Sequence, residues 1–256
     1  MVVPDRPDAF GQSDSDVRSE WGPTGAAHLA GDAPCLVVVD VLSFTTSVTV
    51  CVSRGMTVFP YRWGEADAAD FARTHQAKLA VRRRDVTVDQ PWSLSPAVLS
   101  TAPVTPRLVL PSPNGSTIAS SVDSTRATVV AASLRNAGAV ARWLVAQEFG
   151  TPGRPVVIIA SGERWPDGSL RPALEDALGA GAVLHHLHTA GCTLSTEATA
   201  MAGTFAATRD VEGALRSCGT AHRLVQAGYG GDVDVAAGLE CDDAVPVLTD
   251  GAFSSA

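Results

Sequence analysis

The chain has 256 residues, of which 45% are hydrophobic, and a formal net charge of −8 at pH 7. This length and apolar content suit one large α/β domain or two small ones. The acidic balance argues against a general nucleic-acid or anionic-membrane surface. Lys78 is the only lysine, so phosphate contacts would have to come from arginines and backbone N–H groups.

The start of the chain is rich in Gly, Pro and Asp and does not have the pattern of a signal peptide. We expect an N-terminal arm over residues 1–33 and a single α/β domain over residues 34–256. No apolar run approaches the length of a membrane span. Five cysteines without a C-x-x-C pair are typical of a reducing compartment, so a cytoplasmic protein is expected.

Apolar runs alternate with helical patterns along the chain. Residues 35–39 are continuously apolar and predict a buried strand, followed by a helix that ends at Gly55. Further strands are expected at residues 56–61, 79–82, 107–110, 127–132, 155–160 and 244–248. Helices are expected at residues 65–76, 136–149, 173–188 and 196–227, and long loops at 85–106 and 161–172. This alternation predicts a three-layer α/β/α fold around a mostly parallel or mixed sheet.

Three of the predicted strands end in polar clusters. In open α/β sheets, ligands bind outside the carboxyl ends of the strands, so such clusters are candidate sites. The first cluster is Asp40 with Thr45 and Thr46. Asp40 could belong to an active site, or it could only cap the helix that follows.

The second cluster is the turn formed by Asn114, Gly115 and Ser116, which precedes a predicted helix. Backbone N–H groups in such a turn can bind an anion. An ordinary Asn-Gly turn with a serine cap is the alternative.

The third cluster is Ser161, Gly162 and Glu163 after the strand at residues 155–160, with Glu175 and Asp176 early in the next helix. Adjacent carboxylates in a first helical turn often only complement the helix dipole, but they are also the usual ligands of Mg²⁺. Together the clusters favour Mg²⁺ with a phosphorylated ligand, where the metal polarises a phosphoryl oxygen or activates water.

The motifs resemble those of the 2-phosphosulfolactate phosphatase (ComB-like) family. The family pattern D-V-L-R-A-T-T is similar to residues 40–46, T-T-N-G-T to 112–116, N-x-x-A-V-A to 136–141, and C-A-G to 160–162. Its later E-D pair is similar to residues 175–176. The similarity runs in order from about residue 35 to 250.

The resemblance implies an Mg²⁺-dependent phosphatase that converts 2-phosphosulfolactate and water to sulfolactate and phosphate. Asp40, Glu175 and Asp176 are the predicted catalytic groups and metal ligands. The predicted substrate-binding residues are Thr45, Thr46, Arg82, Arg83, Ser95, Asn114, Gly115, Ser116, Asn136 and Gly162. A small phosphorylated acid is the expected partner, nucleic acid and membrane are not, and a homodimer is a mild preference.

Three positions depart from the family pattern. Ser43 stands where the motif has an arginine, Leu94 where it has an asparagine, and Ala160 where it has a cysteine. The arginine of a G-E-R segment could correspond to any residue of 82–84. A non-catalytic relative that binds a small anion or a partner protein is therefore the alternative to an active phosphatase.

Overall fold

The computed structural model describes residues 10–31, 33–62, 64, 67–121 and 127–256. The strands in this part of the chain are β1 (Val17–Trp21), β2 (Cys35–Val39), β3 (Thr57–Arg62), β4 (Lys78–Leu79), β5 (Arg107–Ser112), β6 (Thr128–Ala132), β7 (Val156–Ala160), β8 (Glu163–Arg164), β9 (Leu170–Arg171), β10 (Pro246–Thr249) and β11 (Ala252–Ser255).

Helices lie between most of these strands. They are α1 (Gly22–Leu29), α2 (Phe44–Ser53), α3 (Ala68–Thr74), α4 (Pro96–Thr101), α5 (Gly115–Ser121), α6 (Ala137–Ala146), α7 (Leu174–Thr189), α8 (Thr196–Ala207), α9 (Val211–Arg216), α10 (Gly219–Gln226) and α11 (Gly230–Ala237). None of these described helices is long and apolar enough to cross a membrane.

A nine-stranded mixed sheet forms the middle layer, in the order β1-β7-β2-β6-β10-β11-β3-β5-β4. The strands from β1 to β6 in this order are parallel, and so are β3, β5 and β4. The hairpin of β10 and β11 joins these two halves through antiparallel pairs. The predicted three-layer α/β/α fold with a mixed sheet is confirmed.

The continuous apolar pattern of β2 follows from burial on both faces of the sheet. Cys35, Val37 and Val39 pack into one core with side chains of α6 and α7. Leu36 and Val38 pack into the other core with side chains of α1, α2 and α5. A strand that is covered on both faces has no solvent side, so its sequence shows no alternation.

Helix α2 is buried along almost its whole length although it contains several hydroxyl groups. The hydroxyl of Thr49 donates to the carbonyl oxygen of Thr45 at 2.8 Å, and that of Thr46 donates to the carbonyl of Val41 at 2.8 Å. Buried hydroxyls that bond to local carbonyl groups avoid the cost of burying an unpaired polar group. These contacts fix the helix directly behind the end of β2.

The predicted N-terminal arm contains two elements of the layered structure. β1 pairs in parallel with β7, and Val17 is fully buried. The sequence did not predict this strand, because three of its five residues are polar. Arg18 can be buried here because its guanidinium donates to local carbonyl groups such as that of Ser15, at 2.9 Å. Residues 1–9 of the arm lie outside the described residues.

Other differences concern short elements. The segment predicted as a loop over residues 85–106 contains α4, and α11 and β11 were not predicted. The segment 161–172 contains the small hairpin of β8 and β9. Elements of two to eight residues do not span enough turns or pleats to give a clear period. The helix expected at 65–76 is observed as α3, with residues 65 and 66 outside the described part.

Candidate functional site

A cavity of about 490 Å³ lies beyond the carboxyl ends of β2, β5 and β7. Its charged lining consists of four arginines and two carboxylates: Arg82, Arg83, Arg84, Arg223, Asp40 and Glu163. The positive excess suits a small anionic ligand, since guanidinium groups bind phosphate and carboxylate oxygens through paired N–H donors.

Asp40 follows β2 directly and reaches the floor of this cavity. Its Oδ1 accepts a hydrogen bond from the backbone N–H of Phe44 at 3.3 Å, and its Oδ2 accepts one from Gly115 at 2.7 Å. A Cβ added to Gly115 would lie 2.6 Å from Phe44 Cδ1 and 2.8 Å from Asp40 Oδ2. Glycine therefore allows the second predicted cluster to contact the first.

The protonation of Asp40 is set by opposing effects. The pKa of Asp40 is raised from 3.8 to about 6: burial and, to a smaller extent, the charges of Glu163 and Glu175 raise it, while the N–H groups of Gly115 and Phe44 lower it. A cation in the cavity would favour the ionised form of this carboxyl group.

Asp176 lies behind the cavity and joins two strand ends. Its Oδ1 accepts from the N–H of Val41 and its Oδ2 from the N–H of Gly162, both at 2.8 Å. Burial raises the pKa of Asp176 well above its usual range, and the charges of Asp40 and Glu175 add to this. Both oxygens are thus engaged by backbone donors that hold the ends of β2 and β7 together.

Glu175 does not line the cavity either. It is 2% exposed; burial raises the pKa of the nearby Cys218 thiol, and the charge of Glu175 adds to this. Across the described residues, no group of three or more His, Cys, Asp or Glu side chains could hold a metal ion. Of the three predicted metal ligands, only Asp40 lines the cavity.

Glu163 is the second carboxylate of the cavity. Its Oε1 accepts from the side-chain amide of Asn114 at 2.9 Å, and its Oε2 accepts from Arg223 at 2.6 Å. Magnesium usually takes one or two carboxylates together with waters and substrate phosphate oxygens. Asp40 and Glu163 are the two carboxylates in the cavity lining that could meet this requirement.

The predicted substrate-binding hydroxyls are used inside the protein. Thr45 and Thr46 are fully buried, and Thr45 Oγ1 donates to the carbonyl oxygen of Asp40 at 2.8 Å. The hydroxyl of Ser116 lies 2.7 Å from the carbonyl oxygen of Tyr61. These groups shape the loops under the cavity and do not line it.

Asn136 and Ser95 also lie outside the cavity lining. Asn136 is fully buried, and its side-chain amide donates to the carbonyl oxygen of Ala244 at 2.9 Å. Ser95 caps α4 by accepting from the N–H of Val98 at 3.2 Å, and its hydroxyl donates to Asp232. Both residues therefore position neighbouring segments.

Gly162 has a different role at the end of β7. Its φ is +68°, and an added Cβ would lie 3.0 Å from the carbonyl oxygen of Arg171. A side chain is disfavoured on both counts. The residue brings the following Glu163 to the cavity.

The three consecutive arginines are not equivalent. Arg82 pairs with Asp85 at 2.5 Å and is 55% exposed, and the side chain of Arg84 is 69% exposed. Arg83 is 20% exposed, donates from Nη2 to Ser43 Oγ at 2.9 Å, and donates from Nε to Asp232 Oδ2 at 2.8 Å. Arg83 is thus the arginine that the structure holds in place.

The sequence analysis missed three residues at or beside the cavity: Arg223, Tyr229 and Asp232. Glu163 was named in the third cluster because it follows a predicted strand end and a glycine, but no role was predicted for it. The three missed residues come from α10, α11 and the turn between them, which fold over the cavity from a distant part of the chain. No local pattern marks such residues.

A mixed α/β sheet with an arginine-rich cavity beyond its strand ends defines an α/β protein suited to small anionic ligands. A sequence model of the 2-phosphosulpholactate phosphatase family matches residues 24–251. The chain belongs to this family, and the resemblance predicted from its motifs is confirmed. No curated protein matches the sequence.

Proposed function

We propose that the protein is an Mg²⁺-dependent phosphatase that hydrolyses a phosphate ester of a small acid resembling 2-phosphosulfolactate. The family supports phosphatase chemistry on a small phosphorylated substrate. The observation that carries the proposal is the convergence of Asp40, Asn114 and Arg83 on one cavity from three separate segments.

The residues divide into anion-binding and carboxylate groups. Arg83 would bind the phosphoryl oxygens with the N–H donors that Ser43 and Asp232 leave available, and the amide of Asn114 would add one donor. Arg223, on α10, would bind the acid group of the substrate. Both arginines counter the negative charge that makes attack on a phosphate ester slow.

Asp40 and Glu163 would hold the metal. This differs from the predicted ligand set, because Glu175 and Asp176 do not line the cavity. When bound, Mg²⁺ would polarise a phosphoryl oxygen and lower the pKa of a water molecule. Asp40 in its ionised form would orient the attacking water, after which the ester P–O bond breaks and the alcohol leaves.

The replacement of Asp40 by asparagine tests the proposal. We expect Asp40→Asn to lower Mg²⁺-dependent hydrolysis of 2-phosphosulfolactate and p-nitrophenyl phosphate by at least about 100-fold, since the ionised carboxylate is lost. Asp70→Asn is the matched control, because Asp70 is exposed on α3 and forms an ion pair with Arg73 of the same helix. Turnover in Asp40→Asn equal to that of the control would contradict the proposal.

A non-catalytic anion-binding protein is the second candidate, and Ser43 is the observation that favours it. The family motif has an arginine at this position, so the cavity has one guanidinium fewer than the motif supplies. Thermal stabilisation by phosphorylated hydroxy acids without any release of phosphate would support this candidate.

A further inference from the structure

We propose that Asp232 is a positioning residue that holds the guanidinium of Arg83 against the cavity. Asp232 lies on α11 and is 1% exposed. The inference rests on the proposed function, because it concerns the arginine to which that function assigns the phosphate.

Three contacts fix the plane of the Arg83 guanidinium. Its Nε donates to Asp232 Oδ2 at 2.8 Å, and its Nη2 donates to Ser43 Oγ at 2.9 Å. The guanidinium carbon lies 5.4 Å from the centroid of the Tyr229 ring, which is within the range of a cation–π contact. These bonds use two of the five N–H donors, so the remaining donors can face a ligand.

Asp232 is anchored on its other side. Its Oδ1 accepts from the hydroxyl of Ser95 and from the N–H of Ala97, the latter at 3.2 Å. One carboxylate oxygen is therefore bound to the first turn of α4, and the other orients Arg83. A carboxylate this deeply buried requires such partners, because an unpaired buried charge is strongly unfavourable.

This arrangement distinguishes Arg83 from its neighbours. Arg82 and Arg84 are more than half exposed, and both pair with Asp85, close in sequence. A freely rotating arginine loses side-chain entropy when it binds an anion, whereas Arg83 is already ordered before binding. Asp232 thus makes the middle arginine the pre-organised donor.

The variant Asp232→Asn separates the contacts that anchor residue 232 to α4 from the contact that orients Arg83. Its amide oxygen can still accept from Ser95 and Ala97, while its NH₂ group then meets the Nε–H of Arg83, so that two donors face each other. Asp234→Asn is the matched control, because Asp234 lies on the same helix in an exposed pair with Arg216. A general effect of removing a negative charge from α11 would change both variants similarly.

The first experiment measures the affinity for inorganic phosphate by calorimetry in the full-length protein. We expect Asp232→Asn to weaken binding about tenfold, the size expected when one charge-assisted hydrogen bond is lost. Asp234→Asn should bind as the wild type does, and Asp232→Asn should add no loss in an Arg83→Gln background. Unchanged binding in Asp232→Asn, or an equal loss without Arg83, would overturn the proposal.

The second experiment needs no phosphate binding. Phenylglyoxal labelling of Arg83, followed by peptide mass spectrometry, should be faster in Asp232→Asn than in the wild type and in Asp234→Asn. Equal labelling rates would overturn the proposal. If the wild type does not bind phosphate but Arg83 is labelled faster in Asp232→Asn, the phosphatase proposal fails. The proposal that Asp232 positions Arg83 is then still supported.

Folding of the variants is checked by circular dichroism. If Asp232→Asn does not fold, Asp232→Glu replaces it, since the longer side chain keeps the charge but displaces the orienting oxygen. The same weakening of phosphate binding and the same faster labelling of Arg83 are then expected, and their absence overturns the proposal.

Discussion

At the scale of single residues, Asp40 shows how a strand end becomes a reactive group. Burial raises its pKa, and the N–H groups of Gly115 and Phe44 keep the shift moderate. The close approach of Gly115 is possible only without a side chain. One carboxylate therefore serves both as an acceptor for the turn and as a cavity group.

The raised pKa of Asp40 predicts a pH dependence of stability in the absence of divalent cations. Because the pKa rises from 3.8 to about 6 on folding, the folded state holds the proton more tightly. The free energy of unfolding should therefore fall as pH rises from about 4 to about 6, by roughly 3 kcal/mol from this group.

Urea unfolding in EDTA across this pH range checks the prediction. Asp40→Asn removes the titrating group, so its stability should fall less steeply with pH than that of the wild type. Asp176 is present in both proteins, but the charge of Asp40 raises its pKa, so the difference between the two curves reports Asp40 together with its effect on Asp176. Parallel curves would show that Asp40 does not titrate in this range.

At the scale of elements, the site depends on the register between strand ends. Asp176, in the first turn of α7, accepts N–H groups from the segments after β2 and β7. This places Val41 and Gly162 at fixed positions under the cavity. The carboxylate predicted as a metal ligand therefore links the ends of two strands in this structure.

Asp176→Ala should destabilise the protein by about 3 kcal/mol, because two buried N–H groups lose their acceptor. The loss should be the same with Mg²⁺ and with EDTA, as measured by urea unfolding. Asp89→Ala, at an exposed position, is the control and should change little. A loss of stability seen only with Mg²⁺ would instead support Asp176 as a metal ligand.

At the scale of the whole molecule, the site joins two halves of one sheet. Asp40 follows β2 in one half, and Asn114 follows β5 in the other. The hairpin of β10 and β11 connects the halves, and Phe253 of β11 packs edge-on against Phe44 with ring centroids 6.3 Å apart. The end of the chain thus determines the position of groups that lie far from it.

Phe253→Ala should cost about 3–5 kcal/mol in stability, because it removes a fully buried ring between the two halves of the sheet. The midpoint of thermal unfolding should therefore fall. The affinity for phosphate should fall as well, since Phe44 donates its backbone N–H to Asp40. Phe10→Ala is the control, because Phe10 is 75% exposed. Similar losses in the two variants would contradict this role of the hairpin.

The sequence by itself determined the layered fold, the strands with continuous apolar patterns, and the family. Strands that are buried on both faces are continuously apolar, so they can be predicted from local sequence. The motif around Asp40 lies within one continuous segment, so the family resemblance could also be seen in the sequence. Asp40 and the turn at residues 113–116 could also be expected to meet, because both follow strands whose carboxyl ends lie at one edge of the sheet.

Only the tertiary structure decided which charged groups face the cavity. Glu175 and Asp176 are close in sequence to the predicted site but do not line the cavity, and Asp176 accepts from backbone donors instead. Asp232 lies 149 positions after Arg83 and meets it through the packing of α11 beside α4. Local periodicity fixes the face of an element, whereas the partners of a carboxylate depend on which donors the folded chain brings within hydrogen-bond distance.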